Sequence, residues 1–99
     1  LHAMQLPSNQ FGYPLFSNTQ AAVQVASGTL CLGGQIGRFT SNLFNSGASG
    51  DSGSLVMAMN NLPSPPGGGV MPGETWNFQV WYRDSGTSNF TNGVIVVFQ

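Results

Sequence analysis

Residues 72–84 constrain the fold most, because they form the longest run in which large apolar and polar side chains alternate one by one. Alternation with a period of two is typical of a β-strand that is buried on one face. Four large hydrophobic side chains share the predicted inner face: Trp76, Phe78, Val80 and Tyr82. Since burying them removes a large apolar area from water, we expect this strand to lie at the centre of the core.

The rest of the chain consists of short predicted strands separated by turns rich in Gly, Pro, Ser and Asn. The predicted strands are residues 1–6, 11–17, 21–26, two within 29–40, 55–62, 72–84 and 94–99. Pro14 cannot donate a ladder hydrogen bond, so we expect its strand to lie at an edge or to carry a bulge. No window of ten or more residues has helical periodicity. The sequence therefore predicts an all-β fold, an antiparallel β-sandwich of seven or eight strands.

Length and charge limit what the chain can bind. Ninety-nine residues fit a single domain, residues 1–99, and only 5% of them are charged. The net charge is −1 and the two arginines, Arg38 and Arg83, are isolated in sequence, which argues against nucleic acid or anionic lipid as partners. The longest apolar run, residues 94–98, is far shorter than the ~20 residues of a membrane helix, so we expect no membrane insertion.

The material for catalysis is almost absent. An enzyme needs an activated nucleophile, an acid–base pair or a metal site. One histidine, His2, and three carboxylates, Asp51, Glu74 and Asp84, lie far apart in sequence. Asp51 could join a calcium site, but a turn aspartate without neighbouring carboxylates is more often solvated. We therefore predict no enzymatic activity, no cofactor and no metal.

Cys31 is the single cysteine, so an internal disulfide is excluded. A lone cysteine in a strand-like stretch is more often a small buried hydrophobic residue than a reactive thiol, and we favour that interpretation.

Two resemblances to known families follow from these strands. Residues 71–82, with Gly86, Ser88 and residues 94–98, resemble the last two strands of fibronectin type III and related immunoglobulin-like domains. Trp76 stands where those domains usually have a corner tyrosine. The resemblance implies an immunoglobulin/fibronectin III-like sandwich.

Most of the chain is similar to an uncharacterised C-terminal domain of secreted bacterial proteins. Four segments carry this similarity: residues 6–12, 30–38, 73–84 and 88–90. The resemblance implies export, an extracellular or cell-surface location and an appended or assembling role, and it transfers no catalytic residues. Some members have a second cysteine at the end of the last strand, where this chain has Gln99.

Two functions fit these observations. The first is a non-enzymatic extracellular structural module, a filament or surface-layer subunit, that binds copies of itself through uncharged terminal strands. Its candidate contact residues are Leu1, Met4 and Leu6 at one end and Ile95 and Val97 at the other, joined head to tail. The alternative is a carbohydrate-binding accessory module with a polysaccharide partner. Its candidate ligand-binding residues are Trp81 as a stacking platform, with Asn77, Gln79 and Arg83 beside it.

Overall fold

The computed structural model describes residues 1, 3–26, 28–53, 55–57, 59, 62–63, 67–84, 86–91 and 93–98. The strands formed by these residues are β1 (Phe11–Ser17), β2 (Thr19–Val25), β3 (Gly28–Gly33), β4 (Gly37–Arg38), β5 (Phe44–Asn45), β6 (Thr75–Asp84), β7 (Thr87–Phe90) and β8 (Val94–Val97). A 3-10 turn, Thr40–Asn42, separates β4 from β5. All strand pairs are antiparallel, which confirms the predicted all-β antiparallel class.

Two long strands, β1 and β6, form the middle of the larger sheet. They pair from Gly12 opposite Tyr82 to Ser17 opposite Asn77. Both β4 and β5 lie along the other side of β1, and both β7 and β8 lie along the other side of β6. The six-stranded sheet thus has four rows, and each outer row is broken into two short strands. The central position predicted for residues 72–84 is confirmed.

The outer row formed by β7 and β8 is a single return strand with one irregularity. Trp81 lies opposite Phe90 in β7, whereas Phe78 lies opposite Val94 in β8. Between them, Thr91 donates its N–H to the carbonyl oxygen of Val80 at 2.9 Å. The register against β6 therefore shifts by one residue between β7 and β8, as it does at a β-bulge. The terminal strand β8 thus pairs with β6, and residues 87–90, for which the sequence predicted no strand, form β7.

Both faces of the central sheet pack against other parts of the chain, the outer face only in part. On the inner face, Trp76, Phe78 and Val80 are buried as predicted, and Tyr82 is half-buried against them. Two core clusters contain these side chains: Ala3, Leu6, Phe44, Leu55 and Val80 in one, and Phe16, Phe39, Leu62, Trp76 and Phe78 in the other. On the outer face, the separate β2–β3 hairpin contacts β6 and β7. The arrangement is consistent with a β-sandwich whose second sheet has two strands.

Two predicted strands are wrong for the residues that the structure describes. The segment of residues 1–6 is hydrogen-bonded to residues 50–55 outside any strand, with Leu6 N–H donating to Gly50 at 2.9 Å. Gln5 has a φ of +59°, which interrupts an extended backbone. The described part of residues 55–62 is also irregular, although Leu55, Met57, Met59 and Leu62 pack into the core. In this segment the spacing of apolar residues indicates which side chains are buried, and it does not show that the backbone forms a strand.

Pro14 lies in a central strand, so the predicted edge or bulge position is also wrong. Val80, its partner on β6, uses its own N–H and carbonyl oxygen to contact Thr91 on the far side. In an antiparallel pair this alternation turns the nitrogen of Pro14 away from β6, toward the row of β4 and β5. That row is interrupted beside Pro14, whose carbonyl oxygen accepts the N–H of Phe39 at 2.9 Å. The missing donor therefore costs no ladder hydrogen bond.

Replacing Trp76 by alanine tests the inner-face assignment. Trp76 is 6% exposed and contacts Phe16 at a ring-centroid distance of 5.8 Å. We expect Trp76→Ala to lower the free energy of unfolding by ~3–5 kcal/mol, because a large aromatic leaves a cavity in the core. Urea denaturation measures this change. Met71→Ala is the control, since Met71 is 63% exposed and its truncation should change stability by less than ~0.5 kcal/mol. Equal midpoints for both variants would contradict the assignment.

Candidate functional site

The amide of Gln79 joins the two layers of the fold. Its Oε1 accepts the backbone N–H of Cys31 at 2.9 Å. Its Nε2 donates to the carbonyl oxygens of Thr29 at 2.9 Å and of Thr91 at 2.7 Å. The side chain is fully buried beneath the β2–β3 hairpin, so both amide hydrogens are used inside the protein.

Asn77 lies next to Gln79 on the same face and is also buried. Its Nδ2 donates to the carbonyl oxygen of Ser17, and its Oδ1 accepts from Gln20 Nε2, both at 3.1 Å. The two amides of the carbohydrate hypothesis thus hold the hairpin on the sheet and do not face solvent. The polar residues that alternate along β6 suggested a face exposed to solvent. One sign in the sequence indicates that Asn77 and Gln79 are buried: they are amides and carry no charge.

Trp81 lies on the same face of β6, where the hairpin covers it only in part. It is half-buried and packs against Tyr13 of β1, with ring centroids 4.9 Å apart and an interplanar angle of 33°. A groove of about 250 Å³ runs beside this pair. Hydrophobic side chains from both sheets and the loop before β4 line it: Leu15, Val25, Leu30, Ile36 and Phe90. Trp81 is therefore a partly open aromatic surface.

The register places both arginines on this outer face. Arg38 in β4 lies opposite Leu15, and Leu15 lies opposite Gln79. Directly opposed residues of a sheet share a face, and alternate residues of one strand do as well. Arg38 therefore shares the face of Trp81 and Arg83, and it also lines the groove. Both arginines are exposed. Arg38 and Arg83, which are isolated in sequence, therefore lie on either side of the Tyr13–Trp81 pair in the fold.

The edge of β8 is open along its side chains and its backbone. Ile95 is 59% exposed and Val97 is 56% exposed. Phe98 donates its N–H to the carbonyl oxygen of Glu74 at 2.9 Å. Phe98 and every second residue before it therefore direct their backbone groups toward β6. Because antiparallel strands alternate, Ile95 and Val97 direct their N–H and carbonyl groups away from β6. Among the described strands, β6 is the only neighbour of β8.

The other predicted contact segment, residues 1–6, does not present a similar edge. Leu6 is buried in the core. Leu1 and Ala3 accept backbone hydrogen bonds from Leu55 at 2.7 Å and from Ser52 at 3.0 Å. Leu1 and Met4 keep exposed surface beside a groove of about 390 Å³. Ile95 and Val97 therefore lie on an open strand edge, whereas Leu1, Met4 and Leu6 do not, so these five residues do not form two strand edges that could pair between copies.

The three carboxylates lie at three separate turns or strand ends. Asp51 accepts the N–H of Gly53 at 2.7 Å, and Glu74 accepts the N–H of Met71 at 2.6 Å. Asp84 accepts from the amide of Asn89 at 3.2 Å. Burial, and then the charge of Asp84, raise the pKa of Tyr82, so its phenol is neutral at physiological pH. His2 and Gln99 lie outside the described residues.

Within the described part of the chain, no group of three His, Cys, Asp or Glu residues could hold a metal ion. The same residues include no helix with the length and hydropathy of a membrane span. Cys31 is half-buried rather than fully buried, and its Sγ lies 3.8 Å from the carbonyl oxygen of Thr29.

Gln79→Met tests the structural role of the buried amide. The substitution keeps the side-chain length but leaves the N–H of Cys31 and two carbonyl groups without their hydrogen-bond partner. An unsatisfied buried group costs about 1–3 kcal/mol, and these partners are part-buried, so we expect a loss of ~1–3 kcal/mol in the free energy of unfolding. Gln35→Met, at an exposed position, is the matched control. Similar urea midpoints for the two variants would show that this amide does not hold the hairpin.

Comparison of the chain with protein-family models, with curated proteins and with solved structures gives no match. The resemblance to a domain of secreted bacterial proteins and the extracellular location therefore stay predictions.

Proposed function

We propose that this chain is a non-enzymatic structural module that binds a second copy of itself through the open edge of β8. One observation carries the proposal: Ile95 and Val97 combine exposed apolar side chains with backbone groups directed away from β6. Uncharged edges of this kind are templates for pairing with another strand. The extracellular, exported setting remains part of the proposal and is supported by the low charge of the chain.

The alternation of β8 indicates how two copies would pair. In a two-fold antiparallel arrangement, Ile95 of one copy lies opposite Val97 of the other, and Val96 lies opposite itself. Each Ile95–Val97 pair exchanges two backbone hydrogen bonds, because both residues direct these groups outward. Directly opposed side chains share a face, so the exposed Ile95 and Val97 cover each other across the contact. The central sheet then continues from one copy into the next.

This pairing replaces the head-to-tail contact expected from the sequence. Residues 1–6 are not a strand in the structure, and their backbone bonds to residues 50–55. A two-fold contact closes on itself and gives a dimer. A filament would require a second edge. The uncharged strand β2, with Val23 exposed, fits that role better than the β4 edge, which carries Arg38.

The contact should be weak when formed alone. A four-residue strand buries much less than the ~1,200 Å² of a typical stable interface, which places it in the weak or transient class. Attachment of several copies to one support or polymer would raise the apparent affinity without new contacts.

The carbohydrate hypothesis is supported only in a reduced form. Asn77 and Gln79 have their amides engaged within the protein, so they offer little to sugar hydroxyls. Trp81 retains a partly open ring beside a groove. A glycan site at this place would depend on Trp81, Tyr13 and the arginines.

Sedimentation equilibrium over a wide concentration range tests the β8 contact. We expect a monomer–dimer equilibrium for the parent protein. Ile95→Lys places a charge on the edge, and Val97→Pro removes an outward N–H without touching the ladder to β6. Both variants should stay monomeric at every concentration and keep the circular dichroism spectrum of the parent.

Val56→Lys is the matched control for this experiment. Val56 is 84% exposed and belongs to no described strand, so the same change of a hydrophobic residue to lysine should leave dimerisation intact. A parent protein that is monomeric up to about 1 mM, where the binding free energy is only ~4 kcal/mol, would refute the proposal. Equal dimerisation of all three variants would refute it as well, because another surface would then form the contact.

A further inference from the structure

We infer that the groove beside Trp81 binds an acidic polysaccharide by stacking a sugar ring on the Tyr13–Trp81 pair and pairing carboxylates with Arg38 and Arg83. This site lies on the outer face and does not use the β8 edge, so it is independent of the proposed dimer contact.

The aromatic pair supplies an apolar platform. Tyr13 and Trp81 lie directly opposite each other on neighbouring strands, and their rings are tilted by 33°. A pyranose ring presents a face of C–H groups with slight positive charge, which is complementary to the negative face of an aromatic ring. Hydrophobic side chains on the groove walls exclude water from this contact, as in most ligand pockets.

The charges of this face determine which sugar would fit. Arg38 lies in the row of Gln79, and Arg83 lies two residues beyond Trp81 along β6. The aromatic row therefore has one arginine row on each side, roughly 7 Å away along the strand direction. These are the only two cationic side chains of the lysine and arginine type in the chain. Their placement is complementary to a linear ligand with carboxylates on both sides of a stacked ring.

Other anions fit this arrangement less well. A single aryl carboxylate would use the rings and one arginine but not the other. A nucleic acid carries a much denser line of charge than two arginines neutralise, and its affinity depends on many such contacts. A uronic acid polymer, with one carboxylate on each ring, matches two separated cations and one stacking platform. Ser88 adds a hydroxyl to the groove for a sugar hydroxyl.

Titration with a galacturonate oligomer tests the inference, with isothermal calorimetry and tryptophan fluorescence as readouts. We expect saturable binding that weakens as salt is added, because exposed charge pairs are screened. Arg38→Gln and Arg83→Gln should each weaken binding about three- to fivefold, the effect of one exposed charge pair. Trp81→Ala should weaken it by about tenfold, the order found when a stacking platform is removed. The folded state of each variant is checked by circular dichroism.

Ser49→Glu is the charge-matched control. It also changes the net charge by one unit, at an exposed turn of the segment that covers the opposite face. Binding by this variant should equal that of the parent. Absence of binding to the galacturonate oligomer, equal binding by the arginine variants and the parent, or binding of benzoate in place of the oligomer would each overturn the inference. Equal affinity for an uncharged glucan would overturn the role of the arginines.

Discussion

The amide of Gln79 is the interaction on which the two-layer arrangement depends. It bonds to Cys31 and Thr29 in β3 and to Thr91 after β7, so one side chain joins three segments. A buried amide with all its hydrogens used rigidifies its surroundings, whereas the same group left unpaired would be costly. The hairpin β2–β3 is therefore held over one part of the central sheet and not over the rest.

Partial coverage explains where the open surfaces lie. The hairpin covers the rows of Asn77 and Gln79, and beyond them its turn end packs against Phe90 of β7, which leaves Trp81 only half-buried. The aromatic pair is consequently left at the rim of a groove. At the other end of the sheet, β8 is the last strand of its row, so Ile95 and Val97 remain exposed. The groove beside Trp81 and the open edge of β8 have the same cause: the two-stranded sheet is too small to cover the six-stranded sheet.

Several parts of the fold could be predicted because their physical cause is local. The alternation around Phe78 requires a strand with one buried face, and the β-branched run that starts at Val94 requires a partner strand beside it. The segments near Leu6 and Leu55 show the limit of such reasoning. Their apolar side chains are buried as their type requires, but burial does not determine whether the backbone bonds as a strand. That depends on which other segment lies alongside.

The sequence by itself determined the all-β class, the inner face of β6 and the scarcity of charge, since these depend on side-chain type and on a period of two. Only the tertiary structure decided what each polar residue does. Pairing of β4 with β1 brought Arg38 to the face of Arg83, and packing of β3 over β6 buried Gln79. Neither contact is encoded in local spacing, because each joins residues more than twenty positions apart, and the register between distant strands is set by how the complete core packs.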